Sequence, residues 1–84
     1  MYLHVTGTVT DPGGLAAHTA GEARVLRELK ADGVVLSAFR RHDRPGAFLL
    51  VEAESVQDAQ DKPGRLPYAA NGLLTFEFIE VGRL

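Results

Sequence analysis

The chain of 84 residues contains no cysteine and no tryptophan, and its net charge is only −2. Without cysteine, neither disulfides nor thiolate metal sites can reinforce the small core of a domain this short. Nine basic residues against eleven acidic ones leave no basic surface for a phosphate backbone, so nucleic acid is not an expected partner. No apolar run approaches the roughly 20 residues of a membrane span, and no secretory leader is evident. We therefore expect no membrane association and a cytoplasmic location.

Segments with strand and helix periodicity alternate along the sequence. They predict, in order, a strand at 1–10, a helix at 15–32, strands at 34–42 and 47–53, a helix at 56–61 and a strand at 73–81. Gly33 suits the end of the first helix, and Ser55 suits the start of the second. Gly21, inside the first helix, indicates close packing or a site that needs room. The order β-α-β-β-α-β is typical of one ferredoxin-like α+β domain over residues 1–84, a four-stranded antiparallel sheet with two helices on one face.

Both faces of the predicted sheet carry apolar residues. An antiparallel sheet with one solvated face alternates apolar with polar side chains instead. We therefore expect a second copy of the chain to cover the free face, giving a homodimer or a larger homo-oligomer. The alternating apolar sets are Val34, Leu36 and Ala38 against Val35 and Phe39; Ala47, Leu49 and Val51 against Phe48 and Leu50; and Leu74, Phe76 and Phe78 against Leu73 and Ile79.

Three polar residues in separate elements are candidates for chemistry: His4, Glu22 and Arg40. A helix lying over the sheet lets Glu22 face the strands, so we expect the three side chains to converge on one pocket. Proton transfer next to a carbonyl needs a base and a group that stabilises the enolate oxygen. His4 or Glu22 could supply the base and Arg40 the cation, with no cofactor and a small molecule as substrate. A packed histidine, a solvated helix carboxylate and an exposed charged hairpin are the structural alternatives for these residues.

Other residues add less to the chemistry. The three histidines lie in different elements and lack the spacing of a zinc site, so no metal is expected. Tyr68, in the loop before the last strand, could cover a pocket with its ring. We take Tyr68, Phe39 and Thr6 as candidate substrate contacts.

Short motifs spread over nearly the whole chain resemble the muconolactone Δ-isomerases. They include Met1-Tyr-Leu-His4-Val5, the turn around Glu22, Phe39-Arg40, and Leu66-Pro67 ahead of the Phe-Glu-Phe-Ile-Glu-Val strand. The resemblance implies a dimeric α/β barrel and cofactor-free isomerisation of a small unsaturated lactone in aromatic catabolism. His4, Glu22 and Arg40 match polar positions of that family's pattern.

Two other functions fit the same sequence. One is a cofactor-independent monooxygenase of the antibiotic-biosynthesis type, which rests on fold analogy alone. The other is a non-catalytic dimeric binding or accessory protein, favoured because Thr6 stands where the isomerases carry a lysine. Deuterium exchange from solvent into a lactone would support the isomerase, and oxygen uptake would support the monooxygenase. Ligand binding without turnover would support the binding protein.

Overall fold

Four strands form one antiparallel sheet, and a computed structural model describes all residues from 1 to 84. The strands are β1 (Tyr2–Val9), β2 (Val35–Arg40), β3 (Gly46–Glu52) and β4 (Leu74–Val81), and their spatial order is β2-β3-β1-β4. The helices are α1 (Thr19–Ala31), α2 (Val56–Asp61) and α3 (Pro67–Ala70). None of them has the length and apolar content to cross a membrane. The expected ferredoxin-like α+β architecture is confirmed.

The core lies between one face of the sheet and the helices. Leu3 and Val5 of β1 pack there with Val51 of β3 and Leu29 of α1, and the last three are completely buried. Each such aliphatic side chain stabilises the fold by about 1.5–3 kcal/mol through removal from water. We call this the helix face of the sheet, and the other side the open face.

The first helix begins later than the sequence predicts. The expected start at Leu15 is wrong: residues Pro12–Gly14 and Ala16–His18 form two 3₁₀ turns, and α1 starts at Thr19. The delay arises because the chain leaving β1 is still bound to Leu73, the residue before β4. The N–H groups of Thr10 and Asp11 both donate to the carbonyl of Leu73, at 2.8 and 3.2 Å.

The helix ends agree better with the sequence. Gly33 follows α1 with φ of 75°, a conformation that glycine adopts without strain. Ser55 caps α2, its hydroxyl accepting a hydrogen bond from the N–H of Asp58 at 3.1 Å. The stretch before β4, expected to be a loop, instead contains a 3₁₀ turn at Pro63–Arg65 and then α3. A proline opens each of these turns, where its missing N–H costs no helical bond.

Strand β2 differs from the predicted alternation. An irregularity between Val35 and Ser37 adds a residue, so the expected face shared by Val34, Leu36 and Ala38 is wrong. Beyond it, Ala38 pairs with Leu49 and Arg40 with Ala47, and these residues lie on the helix face. The bulge therefore places Arg40, at the end of β2, on the helix face of the sheet.

Gly46 at the start of β3 offers a test of this sheet. It has φ of 152°, and a Cβ there would overlap the carbonyl oxygen of Gly7 on the neighbouring strand. We expect Gly46→Ala to lower the free energy of unfolding by about 2 kcal/mol or more, measured by urea denaturation. Gly64→Ala is the matched control, because no atom lies within 4 Å of the added methyl group. Equal stability of the two variants would contradict the close approach of β1 and β3.

Candidate functional site

A cavity of about 540 Å³ opens between α1 and the helix face, next to the β2–β3 hairpin. Its size suits a small organic ligand. Small residues on the strands, Ala38, Gly46 and Ala47, leave the space that larger side chains would fill. The larger apolar lining residues include Val9, Leu26, Leu49, Leu66, Leu74 and Phe76, and the charged or hydroxyl-bearing ones are Glu22, Lys30, Arg40, Arg41 and Tyr68.

Glu22 is the only acidic residue of the cavity. Its Oε1 accepts a hydrogen bond of 2.9 Å from the backbone N–H of Tyr68, and its Oε2 has no protein partner. Burial raises the pKa of the Glu22 carboxyl above its ordinary value of 4.5, and the Tyr68 N–H opposes that shift. A carboxyl group with a raised pKa in an apolar cavity is suited to taking up and returning a proton.

Arg41 is occupied by structural contacts. Its guanidinium forms two hydrogen bonds with Asp43, at 2.9 and 2.6 Å, donates to the hydroxyl of Thr8 and lies 4.9 Å from the ring centre of Phe48. Hydrogen bonding to Arg41 lowers the pKa of Asp43 to about 2. Arg41 therefore fastens the hairpin to β1 and is not available to a ligand.

Arg40 and Lys30 form no ion pair and no side-chain hydrogen bond, so they are the available cations of the cavity. Arg40 is one of the residues expected from the sequence, whereas Lys30 is not. The signal for Lys30 is its spacing, because Glu22, Leu26 and Lys30 follow each other at intervals of four on one side of α1. A carboxyl group and a cation two turns apart on the same helix thus border one apolar space.

Tyr68 covers the cavity from α3. Its hydroxyl lies 3.1 Å from the hydroxyl of Thr19, which donates to the carbonyl of Leu15 at 3.0 Å. Gly21 permits this approach, because a Cβ there would lie 3.3 Å from Cγ of Pro67. The close packing that the sequence indicated at Gly21 is therefore the contact between α1 and the segment that carries Tyr68.

His4 and Thr6 lie on the open face, away from the cavity. Cross-strand pairing places His4 between Leu50 and Ile79, and its ring centre lies 5.7 Å from that of Phe48. Alternation along β1 is the reason, since Leu3 and Val5 occupy the helix face. The expected convergence of His4 with Glu22 and Arg40 on one pocket is therefore not what the structure has: only Glu22 and Arg40 line the same cavity.

Phe39 borders the cavity but belongs to the other side of the sheet. Its pairing with Phe48 places its side chain on the open face, where it is 63 % exposed. No group of three or more histidine, aspartate or glutamate side chains is arranged to hold a metal ion.

Comparisons with known proteins show what this fold is similar to. No protein-family model matches the chain, and no curated protein matches it at a significant level. Among solved structures, muconolactone isomerase superposes with a TM-score of 0.80 and 21 % identity, over 100 % of this chain and 91 % of that one. A 5-chloro-2-hydroxyhydroquinone dehydrochlorinase from Burkholderia phenoliruptrix AC1100, in complex with 2,5-dihydroxybenzoquinone, superposes with a TM-score of 0.67 and 21 % identity, over 98 % and 96 % of the two chains. The chain therefore has the fold of muconolactone isomerase.

Because the pKa of Glu22 is raised in the folded chain, the free energy of unfolding should depend on pH. Because the folded chain binds this proton more tightly than the unfolded chain, the stabilisation is present below pH 4.5 and is lost as the pH rises through the raised pKa. Glu22→Gln keeps the size of the side chain and an acceptor oxygen. Because glutamine does not ionise, the variant does not lose this stabilisation as the pH rises. We expect the variant to gain stability relative to the wild type as the pH rises from 4.5 through the raised pKa of Glu22, measured by urea denaturation. Glu54→Gln, at an exposed position outside the cavity, is the control, and a difference for Glu22→Gln that is flat with pH would contradict the assignment.

Proposed function

We propose that the chain is a small enzyme that moves a proton on an unsaturated lactone or carbonyl compound in the cavity beneath α1, without a cofactor. The observation that carries this proposal is Glu22, a half-buried carboxyl group with a raised pKa and one unpartnered oxygen in a mainly apolar cavity. Two unpaired cations, Arg40 and Lys30, border the same space. The similarity of fold to muconolactone isomerase supports the reaction class by analogy.

The proposed reaction is an allylic proton shift. Glu22 removes the proton from the carbon next to the carbonyl, and the electron pair of that C–H bond moves onto the carbonyl oxygen. The guanidinium of Arg40 stabilises the resulting enolate oxygen, with Lys30 as a second cation. Glu22 then returns the proton to the distal carbon of the conjugated system as the carbonyl re-forms, so the double bond has moved and the carboxylate is regenerated.

We also propose that the chain works as a homodimer with the two open faces in contact. Phe39, Ile79 and Val81 on this face are 63, 59 and 38 % exposed, and the partly buried Phe48 and Leu50 lie between them. Exposed apolar side chains on β2, β3 and β4, with His4 and Thr6 of β1 between them, favour an interface on this face. In this assembly His4 and Thr6 lie between the two sheets, apart from the cavity of Glu22.

The first test is turnover. We expect Glu22→Gln to slow deuterium incorporation from solvent into a small unsaturated lactone by about 100-fold or more, and Arg40→Ala to slow it as well. His4→Ala is the matched control and retains turnover, because His4 faces away from the cavity. Proton NMR of the lactone measures the exchange.

Other outcomes of that experiment identify other functions. Loss of exchange in His4→Ala with normal exchange in Glu22→Gln would move the site to the open face. Oxygen uptake with an electron-rich aromatic compound would indicate the monooxygenase. Saturable lactone binding with neither a shift of the double bond nor exchange in the wild type would indicate a binding protein.

The second test is the oligomeric state. We expect sedimentation at micromolar concentration to give twice the 9.1 kDa mass of the chain. Ile79→Glu places a charge within the open face and should shift the mass towards the monomer. Val56→Glu is the control, because Val56 is also exposed but lies on α2. A wild-type mass of one chain, or equal effects of the two variants, would overturn this dimer.

A further inference from the structure

The segment Pro63–Ala70, which we call the docking segment, contacts α1 at three positions along the helix. Arg65 lies 3.4 Å from Glu28, Pro67 packs on Gly21, and Tyr68 reaches both Glu22 and Thr19. Leu66, almost fully buried, anchors the segment in the core. The contact with Glu22 is therefore one of several that fix the same surfaces against each other.

The backbone N–H of Tyr68 has a single acceptor. It lies in the first turn of α3, where N–H groups have no partner within the helix. Later N–H groups do have one, since Ala70 donates to Leu66 and Asn71 donates to Pro67. The carboxylate of Glu22 satisfies the Tyr68 N–H at 2.9 Å.

The side chain of Tyr68 is fixed independently of Glu22. The hydroxyl of Thr19 carries one proton, which it donates to the carbonyl of Leu15. In the contact between the two hydroxyls, Tyr68 is therefore the donor and Thr19 the acceptor. The ring thus holds the backbone of Tyr68 at the position from which its N–H meets the carboxylate.

No other group of the protein competes for Glu22. The charged and titratable groups that line the cavity with it are Arg40 and Arg41 from the end of β2 and the hairpin, Lys30 from α1, and Tyr68. None of these cations forms an ion pair with Glu22, and the residues of β1 and β4 that line the cavity are apolar. His18, four residues before Glu22, forms no hydrogen bond with it either. The Tyr68 N–H is thus the only protein donor to this carboxylate.

We propose that Tyr68 is a positioning residue, whose backbone N–H holds Oε1 of Glu22 so that Oε2 is the atom that exchanges the proton with the substrate. This inference rests on the proposed function for the proton transfer and on the hydrogen bond alone for the positioning. A carboxylate held by one oxygen keeps one orientation towards the substrate, which is what a proton transfer at a fixed carbon requires. The bond also favours the ionised form and so opposes the effect of burial on the pKa of Glu22.

The first experiment measures hydrogen exchange of the Tyr68 amide by NMR, without substrate. Glu22→Gln keeps an acceptor oxygen, whereas Glu22→Ala removes it. We expect the Tyr68 amide to exchange about tenfold faster or more in Glu22→Ala than in Glu22→Gln. The Leu29 amide in the core of α1 serves as the internal control and should exchange equally in both variants. Equal exchange of the Tyr68 amide in the two variants would overturn the proposal.

The second experiment removes the donor itself. Tyr68→Pro lacks the N–H in a helix turn that tolerates proline, and Tyr68→Ala keeps it, while both lack the ring. We expect the pKa of Glu22, followed through its carboxyl carbon by NMR, to be higher in Tyr68→Pro than in Tyr68→Ala. Should Tyr68→Pro not fold, an ester in place of the Pro67–Tyr68 amide in a chemically assembled chain removes the same N–H and keeps the ring. An unchanged pKa in whichever of these folds would overturn the proposal.

Kinetics then separate this inference from the proposed function. With a lactone that the wild type isomerises, loss of the N–H should lower kcat relative to Tyr68→Ala and leave KM nearly unchanged. If the amide exchange of Tyr68 and the pKa of Glu22 change as expected but no lactone turns over, Tyr68 positions Glu22 and the proposed reaction is wrong. If the wild type turns over and the pKa of Glu22 is unchanged, the reaction stands and the role of Tyr68 fails.

Discussion

Every second residue of β1 points towards the helices, and this two-residue period determines which side chains can share a site. Leu3 and Val5 fill the core, so His4 and Thr6 point to the open face. A shift of one residue would exchange the two sets and expose the core, at a cost of several kcal/mol from Leu3 and Val5 alone. Packing therefore fixes the separation of His4 from Glu22, and no local adjustment of a side chain brings the two together within one chain.

The cavity exists because the sheet is lined with small residues where α1 crosses it. Ala38 and Ala47 lie beneath the helix, while Leu29 and its neighbours close the core farther along. A carboxyl group is costly in such surroundings unless it is hydrogen-bonded or protonated. Glu22 meets the first condition, since one oxygen accepts the N–H of Tyr68, and burial raises its pKa, which makes protonation easier. The same features that make this carboxyl group tolerable in the fold make it suitable for proton transfer.

The sequence is a good guide to features set by local periodicity and a poor guide to those set by contacts distant along the chain. Element order, the Ser55 cap and the Gly33 helix end follow from residues within a few positions, and the structure confirms them. The late start of α1 depends on hydrogen bonds to Leu73, which lies more than 60 residues away. Glu22 and Arg40 were identifiable as polar residues in apolar elements, but their shared cavity depends on the β2 bulge. The contact between Glu22 and Tyr68 links residues 46 positions apart and leaves no local signal.

We propose that small molecules bind between α1 and the helix face and not on the open face. The most direct measurement is a titration of the isotopically labelled chain with a small unsaturated lactone, followed by amide and methyl NMR shifts. We expect the shifts to cluster at Glu22, Leu26, Leu49 and Tyr68, with little change at Leu50 and Ile79. Shifts confined to His4, Leu50 and Ile79 would contradict it.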